Sequence, residues 1–240
     1  MSPFSPTSAD ASGKLPLHIQ VSEMLAREIQ AGIYPDGTKL APERDMAQEL
    51  EISVGTLRKA LADLTEKGLL ERVHGSGNYV RKSDTPQSIY GFFRLELLKG
   101  GGLPTAEILS LRKLKKPRDL PQFGHSESGF RIRRWRRLNG VNAAIEEIWL
   151  DGGYAETIVQ SDLTDSLYQY YRQQLNLWIT RAEDSVGVAP PPAWKPDGFA
   201  SNASIWGYIE RHSFDQTNTV AEFSRTWFDP TTTRFMARWT

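Results

Sequence analysis

An α+β fold in two parts is the architecture this sequence of 240 residues predicts. Three observations carry the prediction. Over roughly the first eighty positions, apolar residues recur at helical spacing in three segments and are followed by a glycine-rich hairpin pattern. Over the last part of the chain, apolar and polar residues alternate in several strand-like runs around one helical stretch. Between the two, "RKSDTPQSIYGF" at 81–92 mixes charge, proline and small polar residues, as a linker does. The expected organisation is a disordered tail at 1–13, a helical domain at 14–82, a linker at 83–92 and a sheet domain at 93–240.

In the first domain, Leu17, Val21, Leu25 and Ile29 lie on one side of a helix expected from Pro16 to Gln30, which Gly32 stops. "YPDGTKL" is a turn by composition. A short helix is expected from Glu43 to Leu50, with Met46, Ala47 and Leu50 inward. Ser53 is a good N-cap for a third helix, in which Leu57, Ala60, Leu61 and Leu64 share a face and which Gly68 ends. "LLERV" and "NYV" read as two strands joined by the turn "HGSG". Two helices separated by a few residues have helix-turn-helix geometry, and the hairpin makes the unit a winged helix. The first turn of the third helix then enters the major groove of DNA, and the glycine of the wing lets backbone approach phosphate.

The stretches "LPLHIQVSEMLAREIQAG" and "LAPERDMAQELEISVGTLRKALADLTEKGLLERVHGSGNYV" resemble the DNA-binding domain of the GntR family of bacterial transcription regulators. The resemblance implies that phosphate and base contacts fall on Arg44, Ser53, Thr56, Arg58, His74 and Gly75. One departure is that many members carry arginine where this chain has Val54, followed by Gly55. A guanidinium that reads guanine is absent there, and Val54 is expected to meet a thymine methyl instead. The operator should differ from the common one at that position.

Composition narrows the function classes. Hydrophobic residues make up 39% and there is no cysteine, which excludes a disulfide framework and thiolate metal sites. No apolar run approaches the roughly 20 residues a membrane helix needs. The opening "MSPFSPTSADASGK" lacks the pattern of a secretory signal, so a cytoplasmic protein without membrane contact is expected. The net charge is zero but unevenly spread: residues 83–140 carry twelve basic and five acidic residues, and residues 141–240 carry seven basic and thirteen acidic. With no global basic field, electrostatics must act locally. The four histidines have no ligand spacing, so neither a metal site nor a cofactor is expected.

In the second domain, "FRIRRWRRL", "AAIEEIWL", "IWGYIERHSF" and "VAEFSRTWF" alternate like strands, and "SLYQYYRQQL" is helical with Leu167, Tyr171 and Leu175 on one side. This order, with "RWR" before a turn, "AIEEIWL" after it and "DLTDSLY" opening the helix, resembles the UTRA effector domain, with its chorismate-lyase-like fold, of the HutC branch of GntR regulators. The segment "VGVAPPPAWKPDGFASNAS" departs from it, because three prolines rule out much of the helix found there in other members.

The run "RIRRWRR" then has a reading. Period two puts Phe130, Ile132, Arg134, Arg136 and Leu138 on one face, and Arg131, Arg133, Trp135 and Arg137 on the other. Buried cations need partners, and Glu146 is a candidate. A two-residue turn at "NG" would set Arg134 opposite Ile145; a three-residue loop, the preferred register, sets it opposite Glu146. For Arg131, Arg133 and Arg137 a basic, solvent-exposed strand edge is the favoured reading. The resemblance implies anion binding at Arg134 and Arg136, an acceptor for a hydroxyl or amine at Glu222, and a stacking aromatic at Phe228. Ser166, in the first turn of the helix, suits an anion, and Tyr168 lines the same region or belongs to the core. Glycines 100–102 shape the pocket mouth or form a plain loop.

The expected function is a homodimeric transcription regulator, a repressor, on a double-stranded DNA operator of two-fold-related half-sites. A small anionic metabolite in the second domain changes its operator affinity. Two rivals are an enzyme with a chorismate-lyase-like domain tethered to DNA, for which no nucleophile–base pair is evident, and a DNA-binding protein without an effector.

Overall fold

The structure, a computed structural model, describes residues 16–30, 32–81 and 91–237. The tail expected at 1–13 and most of the expected linker lie outside the described residues. Helices α1 (Leu17–Gln30), α2 (Glu43–Glu49) and α3 (Val54–Glu66) precede the antiparallel pair β1 (Leu70–Val73) and β2 (Gly77–Val80). The inward face of α1, Val21, Leu25 and Ile29, packs on Leu57, Leu61 and Leu64 of α3, with Leu69 and Val80 closing the base. Helix α3 begins where expected, with the Ser53 side chain accepting from the Thr56 N–H at 3.0 Å. It ends at Glu66 with Lys67 as C-cap, and Gly68, with a positive φ of 70°, turns the chain towards β1. None of the helices formed by the described residues is long and apolar enough to cross a membrane.

The remainder is built on a six-stranded antiparallel sheet. Its strands are β4 (Pro104–Lys115), β5 (Ser128–Leu138), β6 (Val141–Asp151), β7 (Arg181–Ala189), β8 (Trp206–Phe214) and β9 (Val220–Phe228), in the spatial order β4-β5-β6-β9-β8-β7. Two short strands, β3 (Leu95–Leu97) and β10 (Thr233–Phe235), pair with each other. Helix α4 (Leu167–Gln174) covers one face, burying Leu167, Tyr170 and Tyr171 against Phe130, Ile132, Ile148 and Leu150. The other face is covered by aromatics: Trp194 and Phe199 pack with Trp206, Trp227 and Ile145.

The structure corrects several expectations. Arg134 does pair with Glu146, but not through a three-residue loop. Leu138 faces Val141 across a two-residue turn, Asn139 and Gly140, both with positive φ. The register then shifts between Arg136 and Arg137, where Ala143 is the extra residue. The bulge supplies the offset assigned to the loop. Arg131, Arg133 and Arg137 are not on a sheet edge, since β5 lies between β4 and β6. Arg133 pairs with Glu147 at 2.7 Å and Arg137 with Glu107 at 3.0 Å. Strands β4 and β7 were not foreseen. A register irregularity between Ile108 and Ser110 breaks the alternation of β4, and β7 is a largely exposed edge. The proline-rich segment starts as the end of β7, and Pro190–Pro192 stop that strand. Its aromatics then fold back over the sheet. Glycines 100–102 approach helix α1: a Cβ on Gly101 would lie 3.4 Å from Glu28.

Phe228 is packed over Gly207, its cross-strand partner, where an added Cβ would lie 2.0 Å from the ring. Gly207→Ala should therefore force the ring out of its place and lower stability by about 1–3 kcal/mol. Chemical denaturation of the two proteins measures this, and an unchanged midpoint would contradict the contact.

Candidate functional site

Two regions collect the residues singled out from the sequence. The first is the end of α3 nearest its N-cap, together with the turn between β1 and β2. Arg44, Ser53, Gly55, Arg58, His74 and Gly75 are exposed there, and Thr56 is partly so. Gly75 has φ 72°, the left-handed conformation that this tight turn requires. Ser53 and Thr56 are tied to each other, their hydroxyls 2.8 Å apart. Arg58 donates to Glu43 at 2.6 Å, so its guanidinium is held over α2. Val54 is half-buried and packs against the helical core, so only part of its side chain is left to meet a base.

The second region is a cavity between α4, the sheet and the chain leading into β3. The empty space in and at the mouth of it, open solvent included, is about 660 Å³. Adjacent same-face positions on β5 hold Arg134 and Arg136, and β6 brings Glu146 opposite. One oxygen of Glu146 accepts from Arg134 Nε at 2.9 Å and from Arg136 Nε at 3.0 Å. Both guanidiniums also donate to the carbonyl of Asp165, at 3.4 and 3.0 Å, which fixes them against the residue preceding the α4 N-cap. Burial alone would push the Glu146 carboxyl up, but the two guanidiniums hold it below the ordinary carboxylate range. Two cations share one carboxylate, so the cluster is net positive. Each terminal nitrogen of Arg134 also carries a second N–H for an incoming anion. Ser166, the N-cap of α4, lines the cavity and adds the positive end of the helix.

The other wall is acidic and phenolic. Glu222 accepts from Tyr171 at 2.7 Å, Ser213 at 3.1 Å and Tyr168 at 3.2 Å. Burial, with no cation in direct contact, pushes its carboxyl up in spite of those hydrogen bonds. Burial and then Glu222 push the Tyr168 hydroxyl up as well, so it remains a donor. The structure thus brings Arg134, Arg136, Glu146, Ser166, Tyr168 and Glu222 to one cavity. It does not bring Phe228 there. That ring lies in the cluster with Leu95, Leu97 and Ile209, because the face shared with Glu222 leaves the cavity after Thr226. Sequence reasoning missed Ser224 and Thr226, which the same period of two from Glu222 would have found. It also missed Phe92, Phe93, Arg94 and Arg211, for which no pattern gave a signal.

The arrangement is a winged helix followed by a sheet domain with an arginine-lined cavity partly open to solvent. The sequence matches "Bacterial regulatory proteins, gntR family" over residues 17–80 and "UTRA domain" over residues 99–234. The chain belongs to the GntR family. Within the family, it is 57% identical to the HTH-type transcriptional regulator SmoD of Agrobacterium fabrum, over 94% of this chain and 97% of that one. It is 27% identical to the HTH-type transcriptional repressor NagR of Bacillus subtilis, over 88% and 89%. Among solved structures, YydK of Bacillus subtilis shares the fold with a TM-score of 0.55 at 18% identity, over 94% of this chain and all of that one. This GntR-family chain is a transcriptional regulator, with a DNA-binding domain and a UTRA domain of the kind that binds small molecules.

The raised carboxyl of Glu222 has a pH consequence. Folding favours its protonated form, so its contribution is full below the ordinary carboxylate value and is lost as pH rises through the raised one. Glu222→Gln, which stays neutral, should gain in melting temperature relative to wild type as the pH rises above the ordinary carboxylate value. A difference that is constant above that value would show Glu222 to be ionised throughout.

Proposed function

We propose that this regulator is a cytoplasmic homodimeric repressor that binds two-fold-related half-sites in DNA and loses operator affinity when a small anionic metabolite enters the cavity. Its working parts are a winged helix at 14–82, a linker at 83–92 and an effector and dimerisation domain at 93–240. Arg44, Ser53, Gly55, Thr56, Arg58, His74 and Gly75 contact DNA, with a smaller share for Val54. Arg134, Arg136 and Ser166 take the anion, and Glu146, Tyr168 and Glu222 orient it. Repression is supported by the name of the relative NagR.

One observation carries the coupling. The ring of Phe93 lies between two guanidiniums, that of Arg136 in the cavity at 5.1 Å and that of Arg27 on α1 at 5.3 Å. Arg27 also donates to the carbonyl of Gly102 at 3.4 Å. An anion that draws on Arg136 therefore acts on a ring that helix α1 also holds. If the ligand-bound cavity prefers another arrangement of the two domains, it shifts the population away from the DNA-competent one. A coupling of about 1–3 kcal/mol would weaken operator binding about 5–150-fold.

Two substitutions separate the halves. Arg58→Ala should weaken binding to DNA selected by the wild-type protein from a random-sequence pool by about 1–3 kcal/mol, with the melting temperature unchanged. Equal affinity in a gel-shift titration would remove α3 from the groove. Arg134→Ala should keep DNA binding and lose the thermal stabilisation given by small phosphates and carboxylates. If it instead weakens DNA binding and flattens the salt dependence, Arg134 meets the phosphate backbone.

A further inference from the structure

Four guanidiniums line the cavity, and three are matched by carboxylates. Arg134 and Arg136 share Glu146. Arg211 grips Asp184 with two hydrogen bonds, of 2.6 and 2.7 Å. Arg94 differs. It is half-buried, its hydrogen bonds go to the backbone carbonyls of Gly91 and Phe93, and among the described residues no carboxylate stands within ion-pair distance of it. Burial first, and then Arg211, disfavour its charged form, and Asp184, which Arg211 already grips, offsets this only in part. A cation taken partly out of water beside a like charge is costly unless something else neutralises it. Nothing in the core asks for a guanidinium here, since both of its hydrogen bonds are to carbonyls within three residues. What Arg94 faces is the cavity, and it also lines a second one with Arg27 and Glu28 of α1 and with Glu96 of β3.

We propose that Arg94 binds a second anionic group of the effector, so that the cavity selects molecules charged at two ends over molecules charged at one. This rests on the reading above that the cavity takes a small anion. The ligand class is then a short polar skeleton with a phosphate or carboxylate at the Arg134–Arg136 end and a carboxylate at the Arg94 end.

The test uses the full chain and two probes with the same carbon count. Glucose 6-phosphate carries one anionic group, and 6-phosphogluconate adds a carboxylate at the opposite end. Calorimetric titrations are made on wild type, Arg94→Gln, Arg94→Lys and Arg134→Ala, with melting curves of each free protein. Wild type should bind 6-phosphogluconate about tenfold tighter than glucose 6-phosphate, the worth of one charge-assisted contact. Arg94→Gln should lose that preference, keep its glucose 6-phosphate affinity and melt no lower than wild type when free. Arg94→Lys should keep part of the preference, and Arg134→Ala should bind neither probe. Equal affinities in wild type, or a preference that survives in Arg94→Gln, would overturn the proposal and leave the anion cavity standing. So would an Arg94→Gln protein that melts lower and loses both probes alike, because Arg94 would then be an anchor for its own loop. Failure of both probes to bind wild type would overturn the anion-cavity reading itself, and the second contact with it.

Discussion

Everything in the effector domain is arranged around three buried charges: two arginines on one strand and the glutamate that faces them. Arg134, Arg136 and Glu146 are at most 7% exposed, and two cations on one carboxylate cannot be left half-matched without a large penalty. The constraint reaches in both directions. It decides which residue of β6 stands opposite Arg134, and so the pairing of the hairpin. It also holds the carbonyl before α4, because both guanidiniums reach Asp165. The helix end, the hairpin and the cavity floor are therefore one electrostatic unit. Removing Glu146 would disturb all three.

The DNA-binding half is held chiefly by apolar packing. Its apolar stripes decide which faces of α1 and α3 meet, and buried polar residues of α1 join them, with Glu23 paired to Lys67 at 2.5 Å. The exposed set is not idle before DNA arrives. Arg58 is already paired with Glu43 and Ser53 with Thr56, so on the proposed reading an operator would exchange these contacts instead of creating them from nothing.

Legibility in the sequence followed the strength of the local signal. The three helices and the wing were readable because each has a period, a cap and a stop: Ser53 opens α3 and Gly68 closes it, and these act within a few residues. The alternation of "RIRRWRR" sorted the arginines into two faces, and charge pairing, with Ile148 and Leu150 left on the same face, chose the register with Glu146. Other features depend on contacts distant in sequence. Phe228 has the same parity as Glu222, but the Gly207 on the neighbouring strand turns its ring into the core. Strand β4 carries an irregularity that erases its period. Arg94 and Arg211 reach the cavity only because β3 and β8 are placed beside it, which no window of sequence contains.

The extra residue at Ala143 has a consequence for how this family can vary in length. The turn at Asn139–Gly140 and the pairing from Arg136 onward are each regular, and the offset between them is absorbed at one alanine. Deleting Ala143 would leave Arg136 opposite Ala144 and Arg134 opposite Glu146, at the cost of local packing and of the carbonyl that accepts from the Asp229 N–H. The same single residue could equally be moved into the turn. A chain that gains or loses one residue in this hairpin can therefore keep the same arginine–glutamate cluster.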